Sequence, residues 1–541
     1  VSVKDLINLG YDYDIQGNYL KDEEQILEIM PHDILIPNCS VSPDEKGEDV
    51  FIKIANFVDA ELESFYGLKP FYKVKTKEDL LGHFAVCMAP HNCAGVISRI
   101  IGFSNTQGIL ASPYMHAAIR RDCFDSDTYI PIKERDFWKN LKIGEFVEKL
   151  NPSEVIDSFG TKEKKVDNFK TISFEKSLKE SKINNFTKHF KTKMFEIKTS
   201  LGKKLRVSEN HKFLIDGREK DLRSLKIGDK LPLPRRIKIP SRDINEINLI
   251  NFLRDENLMV RKINSILKNA NIQNAVSKSD ISKKQFQNFK LRDSYPLKFI
   301  LNLTGKIQKK IFETGKLAAK RDNVETPIKI KLSKELLEVI GLYIAEGYSR
   351  SVNSKKGLNQ VYISSTDKNL RKFVEKTIKN SFGLIKTENK KDRVTFSSRV
   401  LYLFFTKILE AGSIAKEKRI PYLFLNLSLA NLACVLRGYF EGDGSVSSGD
   451  KRVCCDSVSE GLLNDLEFCF ARFGIFAKRY EYEKEPGPKL RNFYIKKNRN
   501  IPLFKITKLI IGSNFITDFK KIGFLSDRKN KIFKSFFMKK F

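Results

Sequence analysis

Val339-Ile-Gly-Leu-Tyr-Ile-Ala-Glu-Gly347 and Leu436-Arg-Gly-Tyr-Phe-Glu-Gly-Asp-Gly444 are two copies of one pattern: an apolar helical run, a glycine inside it, then an acid and a closing glycine. The stretch after each copy repeats as well. Val361-Tyr-Ile-Ser-Ser365 leads to a helix from about Leu370 that stops near Phe382-Gly383. Val453-Cys-Cys-Asp-Ser457 leads to one from about Leu462 that stops near Phe473-Gly474. A repeat this long predicts two related units about a pseudo-twofold axis. Gly341 and Gly438 lie mid-helix, where Gly costs about 1 kcal/mol relative to Ala. A helix tolerates that when another backbone must come close, so the two helices are expected to pack through these glycines. Their C-terminal ends would then bring Glu346 and Asp443 together, with Gly347 and Gly444 as left-handed helix stops. Two carboxylates at the negative ends of helix dipoles repel unless a cation neutralises them. Hard oxygen ligands suit Mg²⁺, and paired acids sharing metal fit in-line phosphodiester hydrolysis. The plainer reading, two ordinary capped helices with incidental acids, has to hold twice in one strongly basic chain.

The formal net charge is +32 over 541 residues, which points to a polyanionic partner, nucleic acid by default. A Lys-rich solvated surface is the bland alternative, and the distribution argues against it. Residues 1–122 hold 11 of the 98 Lys and Arg and 18 of the 66 Asp and Glu, so they are acidic. The rest, 87 against 48, carries the whole surplus. The eight cysteines form no CxxC pair, which argues against a zinc ribbon, and their irregular spacing in a long chain argues against a disulfide framework. A reducing cytoplasm is the simplest location. No signal segment opens the chain. The most apolar stretch, Ile420–Phe440, is interrupted by Pro421, Asn426, Asn431 and Arg437 and is too polar to span a membrane.

The chain divides into four segments. Residues 1–122 read as part of an α/β protein, with helical spacing over Val50–Phe65. Residues 123–240 are mostly β: Met194–Thr199, Leu205–Val207 and Phe213–Ile215 are strand-like, Asp216-Gly217 is a turn, and Leu225–Leu231 is a turn between short strands. Residues 241–330 are rich in Lys, Asn and Ser, with short helical patterns such as Leu258–Leu267 and a weak helix-turn-helix signal over Ser279–Phe289. They form a helical linker or a DNA-recognition region. Residues 331–541 hold the repeat.

The two repeat copies resemble the paired motifs of LAGLIDADG homing endonucleases. Gly341 and Gly438 fall on the inner glycine, Glu346 and Asp443 on the catalytic, metal-binding acid, and Gly347 and Gly444 on the last glycine. Glu346 departs from the commoner Asp but keeps the carboxylate. Lys418-Arg-Ile-Pro421 is similar to the family's Lys-x-Ile-Pro block, whose lysine positions or activates water or offsets charge on the scissile phosphate; a plain phosphate contact is the alternative. The resemblance implies a pseudo-twofold αββαββα endonuclease that cuts both strands of double-stranded DNA with Mg²⁺. A domain that only binds DNA, or an inert gene fragment, are the competing readings.

Cys123-Phe-Asp-Ser-Asp-Thr-Tyr-Ile130 opens a second pattern, continued by Arg206-Val-Ser-Glu-Asn-His211. A thiol that attacks the preceding carbonyl, with a histidine for acid–base help, supports acyl transfer. Alone, a cysteine is more often a small core residue. Together the two stretches resemble the first blocks of inteins, with Cys123 as the splicing nucleophile and Ser208 and His211 as the Thr-x-x-His block. This implies the N-terminal half of a β-rich Hint fold. His91-Asn92-Cys93 looks like an intein's C-terminal end but lies upstream of Cys123. Phe537-Met-Lys-Lys-Phe541 offers no His-Asn, so splicing in cis is not expected to finish without a longer gene or a separate C-terminal intein/extein chain.

Within residues 50–122, Phe65-Tyr-Gly-Leu68, Gly82-His83, Ala89-Pro-His91, Arg99-Ile-Ile-Gly-Phe103 and Pro113-Tyr-Met-His-Ala-Ala118 resemble the large subunit of archaeal family-D DNA polymerases, DNA polymerase II. The resemblance implies a small polymerase subunit as partner. The chain is thus expected to be an α+β multidomain protein: a partial host α/β segment, a β-rich Hint half and a LAGLIDADG endonuclease. Thiol should induce cleavage after Asp122, read as a new N-terminus by mass spectrometry. Equal cleavage in Cys123→Ala would contradict the assignment.

Overall fold

A computed structural model describes the chain except residues 39–45, 88–95, 107, 113–114, 116–122, 156–160, 175–177, 190–192, 209–210, 216, 234–235, 269–271, 321, 323, 353–357, 448, 498 and 539–541. His91-Asn92-Cys93 and Asp122 therefore lie outside the described residues. The fold is mixed α+β, built from several small sheets.

Near the N-terminus, strands run in the order Phe84–Cys87, Val96–Ser104, Asp33–Pro37, Leu110–Ala111, beside helix Gly47–Ser64. Asp33 is fully buried. It is held by Arg99 at 2.7 Å and by the Tyr11 hydroxyl at 2.6 Å.

The next unit is β-rich. Strands Leu178–Lys182, Phe169–Phe174, Tyr129–Glu134 and Phe137–Lys142 form one sheet. Beyond it lie two hairpins, Met194–Lys198 with Lys204–Ser208 and Lys212–Ile215 with Arg218–Asp221. Gly217, at φ +78°, makes the second turn. Leu225–Leu231 contains a turn at Gly228, φ +105°, but no strand comes after it before Glu246 among the described residues. Leu231-Pro-Leu-Pro234 explains the difference, since proline cannot donate to a ladder.

Residues 246–331 contain more strand than their composition suggests. Ser294–Pro296, Leu258–Arg261, Lys316–Ala319 and Thr326–Pro327 make a sheet, flanked by helices that include Lys283–Leu291 and Gly305–Thr314. Leu258–Leu267, helical by its pattern, is strand Leu258–Arg261 and then helix Asn264–Leu267. Leu258, Met259 and Val260 are all buried, and an apolar run buried on both faces has no period to read. Helix Lys283–Leu291 starts in a capping box of Ser282 with Gln285, and its Phe286 and Phe289 rings face Tyr295.

In the repeat region, helices Lys334–Glu346 and Leu429–Gly442 lie side by side. Each runs into an antiparallel sheet. One has the order Gly347–Val352, Leu358–Ser364, Arg393–Ser397, Glu388–Lys390. The other has the order Gly444–Ser447, Arg452–Ser457, Phe504–Ile511, Lys478–Lys484. Helices Lys368–Phe382 and Glu460–Phe473 cover the same side of their sheets, and one core runs from Trp138 through the 246–331 unit to Phe536.

The inner glycines sit where the backbones meet. A Cβ on Gly341 would strike the Val435 carbonyl, and one on Gly438 the Glu338 carbonyl. The closing glycines work differently from the expectation. Gly347 is extended, φ −86° and ψ 151°, and Gly444 has no positive φ. What forbids a side chain there is space: a Cβ would run into Tyr343 and Phe440 respectively, because each helix turns straight into its first strand. The left-handed stops are Gly383, φ +72°, and Gly474, φ +81°. Gly438→Ala should cost about 3 kcal/mol by the ordinary scale of overpacking. Urea denaturation checks this, and a loss below about 0.5 kcal/mol would mean that the contact is slack.

Candidate functional site

Glu346 ends the first inner helix and Asp443 comes directly after the second. The structure brings them together: a Cβ placed on Gly442 would lie 2.9 Å from Glu346 Cγ. Glu346 stays solvent-exposed, while Asp443 is half-buried. Burial, with help from Glu346 and Asp456, pushes Asp443 up to about 8. Partial desolvation raises Glu346 as well.

Lys418 is the third predicted residue at this end. Only 3% of it is exposed. Its Nζ donates to the Tyr343 carbonyl at 3.0 Å and to the Gly412 carbonyl at 3.3 Å, and it lies 3.6 Å from the Tyr343 ring centre. Burial draws it down to about 7, against the opposing pull of Asp443 and Glu417.

Two residues here were not legible in the motifs. Lys529, on helix Asp527–Ser535, donates to the carbonyls of Phe440 at 3.0 Å, Glu441 at 2.5 Å and Gly444 at 2.7 Å. It closes the second inner helix as Lys418 closes the first. Burial lowers its pKa, and Asp443 and Glu346 are among the acids that oppose the drop. Glu441 fixes that helix by accepting the Leu525 and Ser526 amides, both at 2.9 Å. A regular repeat would have offered Lys529 as the partner of Lys418, but no motif like Lys-x-Ile-Pro surrounds it. Asp456 is the other: the pairing of Gly444 with Cys455 sets it across from Asp443, where the first half has Ser364 across from Glu346. Among the described residues no three His, Cys, Asp or Glu side chains form a metal cluster, so a cation held by Glu346 and Asp443 would need its other ligands from water and substrate.

Strand alternation turns Val453, Leu509 and Ile511 inward. The same alternation puts Arg452, Asp456, Lys478, Tyr480, Lys484 and Lys508 on the opposite face of the second sheet.

The splicing candidates also meet. The Cys123 amide donates to Ser208 Oγ at 3.0 Å, and the Ser208 amide returns a bond to the Cys123 carbonyl at 3.0 Å. His211 is buried. Its amide donates to the Ser208 carbonyl at 3.1 Å, and its ring lies between Phe124 and Phe213, with centres 4.6 and 5.1 Å away. These three lie on the β-rich unit, apart from the acids.

Known proteins are similar both to separate stretches of the chain and to nearly the whole of it. Residues 1–132 match the family model described as the DNA polymerase II large subunit DP2 catalytic domain, and residues 431–523 match the LAGLIDADG-like domain. The DNA polymerase II large subunit of Thermococcus kodakarensis is 31% identical over 98% of this chain, which spans 30% of that relative's length. The Archaeoglobus fulgidus subunit is 46% identical over 23% of the chain, which covers 10% of that relative. Among solved structures, I-DmoI in complex with DNA and Mn shares 13% identity, covers 35% of this chain and 96% of its own, and has a TM-score of 0.24. The transcription factor IIB Mvu mini-intein shares 26% identity, covers 20% of this chain and 68% of its own, and has a TM-score of 0.19. Asp443 and the second inner helix from residue 431 onward thus fall within a LAGLIDADG-like domain. The chain carries this domain within the sequence of a DNA polymerase II large subunit.

Asp443 has a folded pKa above its unfolded one, so its contribution to stability is full at low pH and is lost as pH rises through about 8. Lys418 is the reverse: its contribution is present at high pH and lost as pH falls through about 7. Without divalent cations, Asp443→Asn should therefore be more stable than wild type near pH 8, by about 1–3 kcal/mol, and the gain should vanish near pH 4. A pH-independent difference in denaturation midpoints would contradict this.

Proposed function

We propose that the domain is an intein-borne homing endonuclease that makes double-strand cuts in DNA, with Glu346 and Asp443 as its metal-holding acids. The carrying observation is the meeting of these two carboxylates at the ends of helices packed through glycine, flanked by the buried Lys418 and the half-buried Lys529. The donor set fits Mg²⁺: hard oxygens, few protein ligands, and room for water and phosphate. When bound, the ion supplies charge neutralisation at the scissile phosphate. The chain's own residues do the rest. Lys418, whose hold on its proton burial weakens, would lend positive charge beside the acids and could pass a proton to or from water at Nζ. Lys529 holds the second helix end and adds positive charge. The polar outer faces of the two sheets, with Arg452, Lys478, Lys484 and Lys508, would lie against the duplex, and the chain's +32 charge would make that binding salt-dependent.

Cys123 with Ser208 and His211 supports a second chemistry in the same chain, the N–S acyl shift of an intein. Ser208 Oγ accepts from the amide nitrogen of the bond to be broken, which would hold that peptide in place beside the Cys123 thiol. Polymerisation, and pairing with a small subunit, belong to the whole large subunit and are proposed only for it. No helix among the described residues is long and apolar enough to cross a membrane.

The test is incubation with Mg²⁺ and DNA that joins the coding sequences on either side of the proposed intein. Wild type should linearise a plasmid carrying the site. Glu346→Gln and Asp443→Asn should each lose at least about a thousandfold, and Lys418→Met about a hundredfold. Binding without cutting would favour a DNA-binding domain instead.

A further inference from the structure

Lys418 needs a rigid seat, because its amine is buried against two carbonyls and a ring. The seat is built by its neighbour. Arg419 reaches away from the acids into helix Glu460–Phe473, where its Nε donates to Asp465 Oδ2 at 2.6 Å and its Nη2 to Asp465 Oδ1 at 2.8 Å. Asp465 is fully buried and also accepts the Ile420 amide at 3.2 Å. The Lys418 carbonyl takes the Ser459 hydroxyl at 2.7 Å. Gly461 leaves the passage for the arginine, since a Cβ there would lie 2.7 Å from Arg419 Cδ. So one buried carboxylate fixes the backbone on the far side of Lys418, and one arginine fixes that carboxylate.

The last partner comes from another unit. Arg419 Nη2 also donates to the Asn140 carbonyl at 2.6 Å, and the Asn140 side chain bonds Asp465. Asn140 lies on strand Phe137–Lys142 of the β-rich unit that holds Cys123. That strand is seated firmly. Trp138 is fully buried facing Phe468 at 6.1 Å, Phe137 meets Tyr422 edge-on at 5.9 Å, and the Asn426 side chain donates to the Asp136 carbonyl at 3.0 Å. A planar guanidinium can satisfy a carboxylate and a third acceptor at once, and an ammonium cannot reproduce that fork.

We propose that Arg419 is a positioning residue for Lys418, and that strand Phe137–Lys142 of the splicing unit completes the seat. The splicing unit is then part of the nuclease's working structure as well as its carrier. The kinetic side of this proposal rests on the endonuclease reading; the structural side does not.

The experiment uses the full chain with Arg419→Lys, Asn140→Ala and both together, each checked for folding by thermal denaturation. Lys204→Ala, which breaks a different bridge between the units, to Glu481 at 2.7 Å, is the control. Single-turnover cleavage at saturating protein should fall about tenfold in Arg419→Lys and about threefold in Asn140→Ala. DNA affinity should stay within about twofold, and the double variant should be no slower than Arg419→Lys. Hydrogen exchange at the amides of residues 411–420 should quicken in both variants. Lys204→Ala should change neither reading. Wild-type rates and exchange in folded Arg419→Lys and Asn140→Ala overturn the proposal. If wild type cuts no DNA, the endonuclease reading fails by itself and exchange decides: faster exchange confined to 411–420 sustains the seat, and unchanged exchange overturns it. Should Arg419→Lys fail to fold, Asn140→Ala still tests the seat through Asp465, because it removes the Asn140 side-chain bond to that carboxylate and leaves the carbonyl that accepts from Arg419.

Discussion

Two helices approach so closely at Gly341 and Gly438 that each glycine faces a carbonyl oxygen of the other helix. No side chain can stand there, and the contact sets everything beyond it. It aligns the helix ends, so that Glu346 and Gly442 touch and Asp443 comes next in the chain. It also sends both chains directly into their first strands, which is why Gly347 and Gly444 must lack a Cβ even though their backbones are ordinary. The sheets then hang from the pair with matching strand order and a shared polar face.

Such an arrangement collects negative charge where two helix dipoles already end. The protein answers with two lysines, each spent on carbonyls at one helix end. Lys418 and Lys529 thereby neutralise dipole and carboxylate together, and their burial lowers the affinity of both for protons. The halves are not equivalent. The second has Asp456 across from its acid and Glu441 tying down the lysine helix, where the first has Ser364 and the apolar Ile344. If the domain reads duplex DNA as proposed, unequal halves suit a target that is not a palindrome.

The β-rich unit is not a separate bead. Hairpin Met194–Ser208 rests on the second sheet, where the Arg479 amide donates to the Leu201 carbonyl at 2.7 Å and Gly202 is pressed against the Arg479 carbonyl. The same hairpin ends at Ser208, which holds the Cys123 amide. The two proposed chemistries are therefore mounted on one continuous framework, and hydrogen bonds run from one unit to the other.

The repeat and the inner glycines were legible in the sequence, and both acids, Lys418 and the Cys123–Ser208–His211 set were legible as candidates, because each depends on residue type at a fixed local spacing. Helix and hairpin ends marked by Gly217, Gly383 and Gly474 were legible for the same reason. Other features depend on what a residue meets across space. The strands within 246–331 could not be read, since an apolar run buried on both faces shows no period. Lys529, Asp456 and Arg419 carry no motif: one matters for the helix end it reaches, one for its partner across a ladder, and one for the two units it joins. The sequence by itself determined which groups were available for the chemistry; only tertiary packing decided which of them stand together and how strongly burial shifts their protons, because desolvation and distance are properties of the fold.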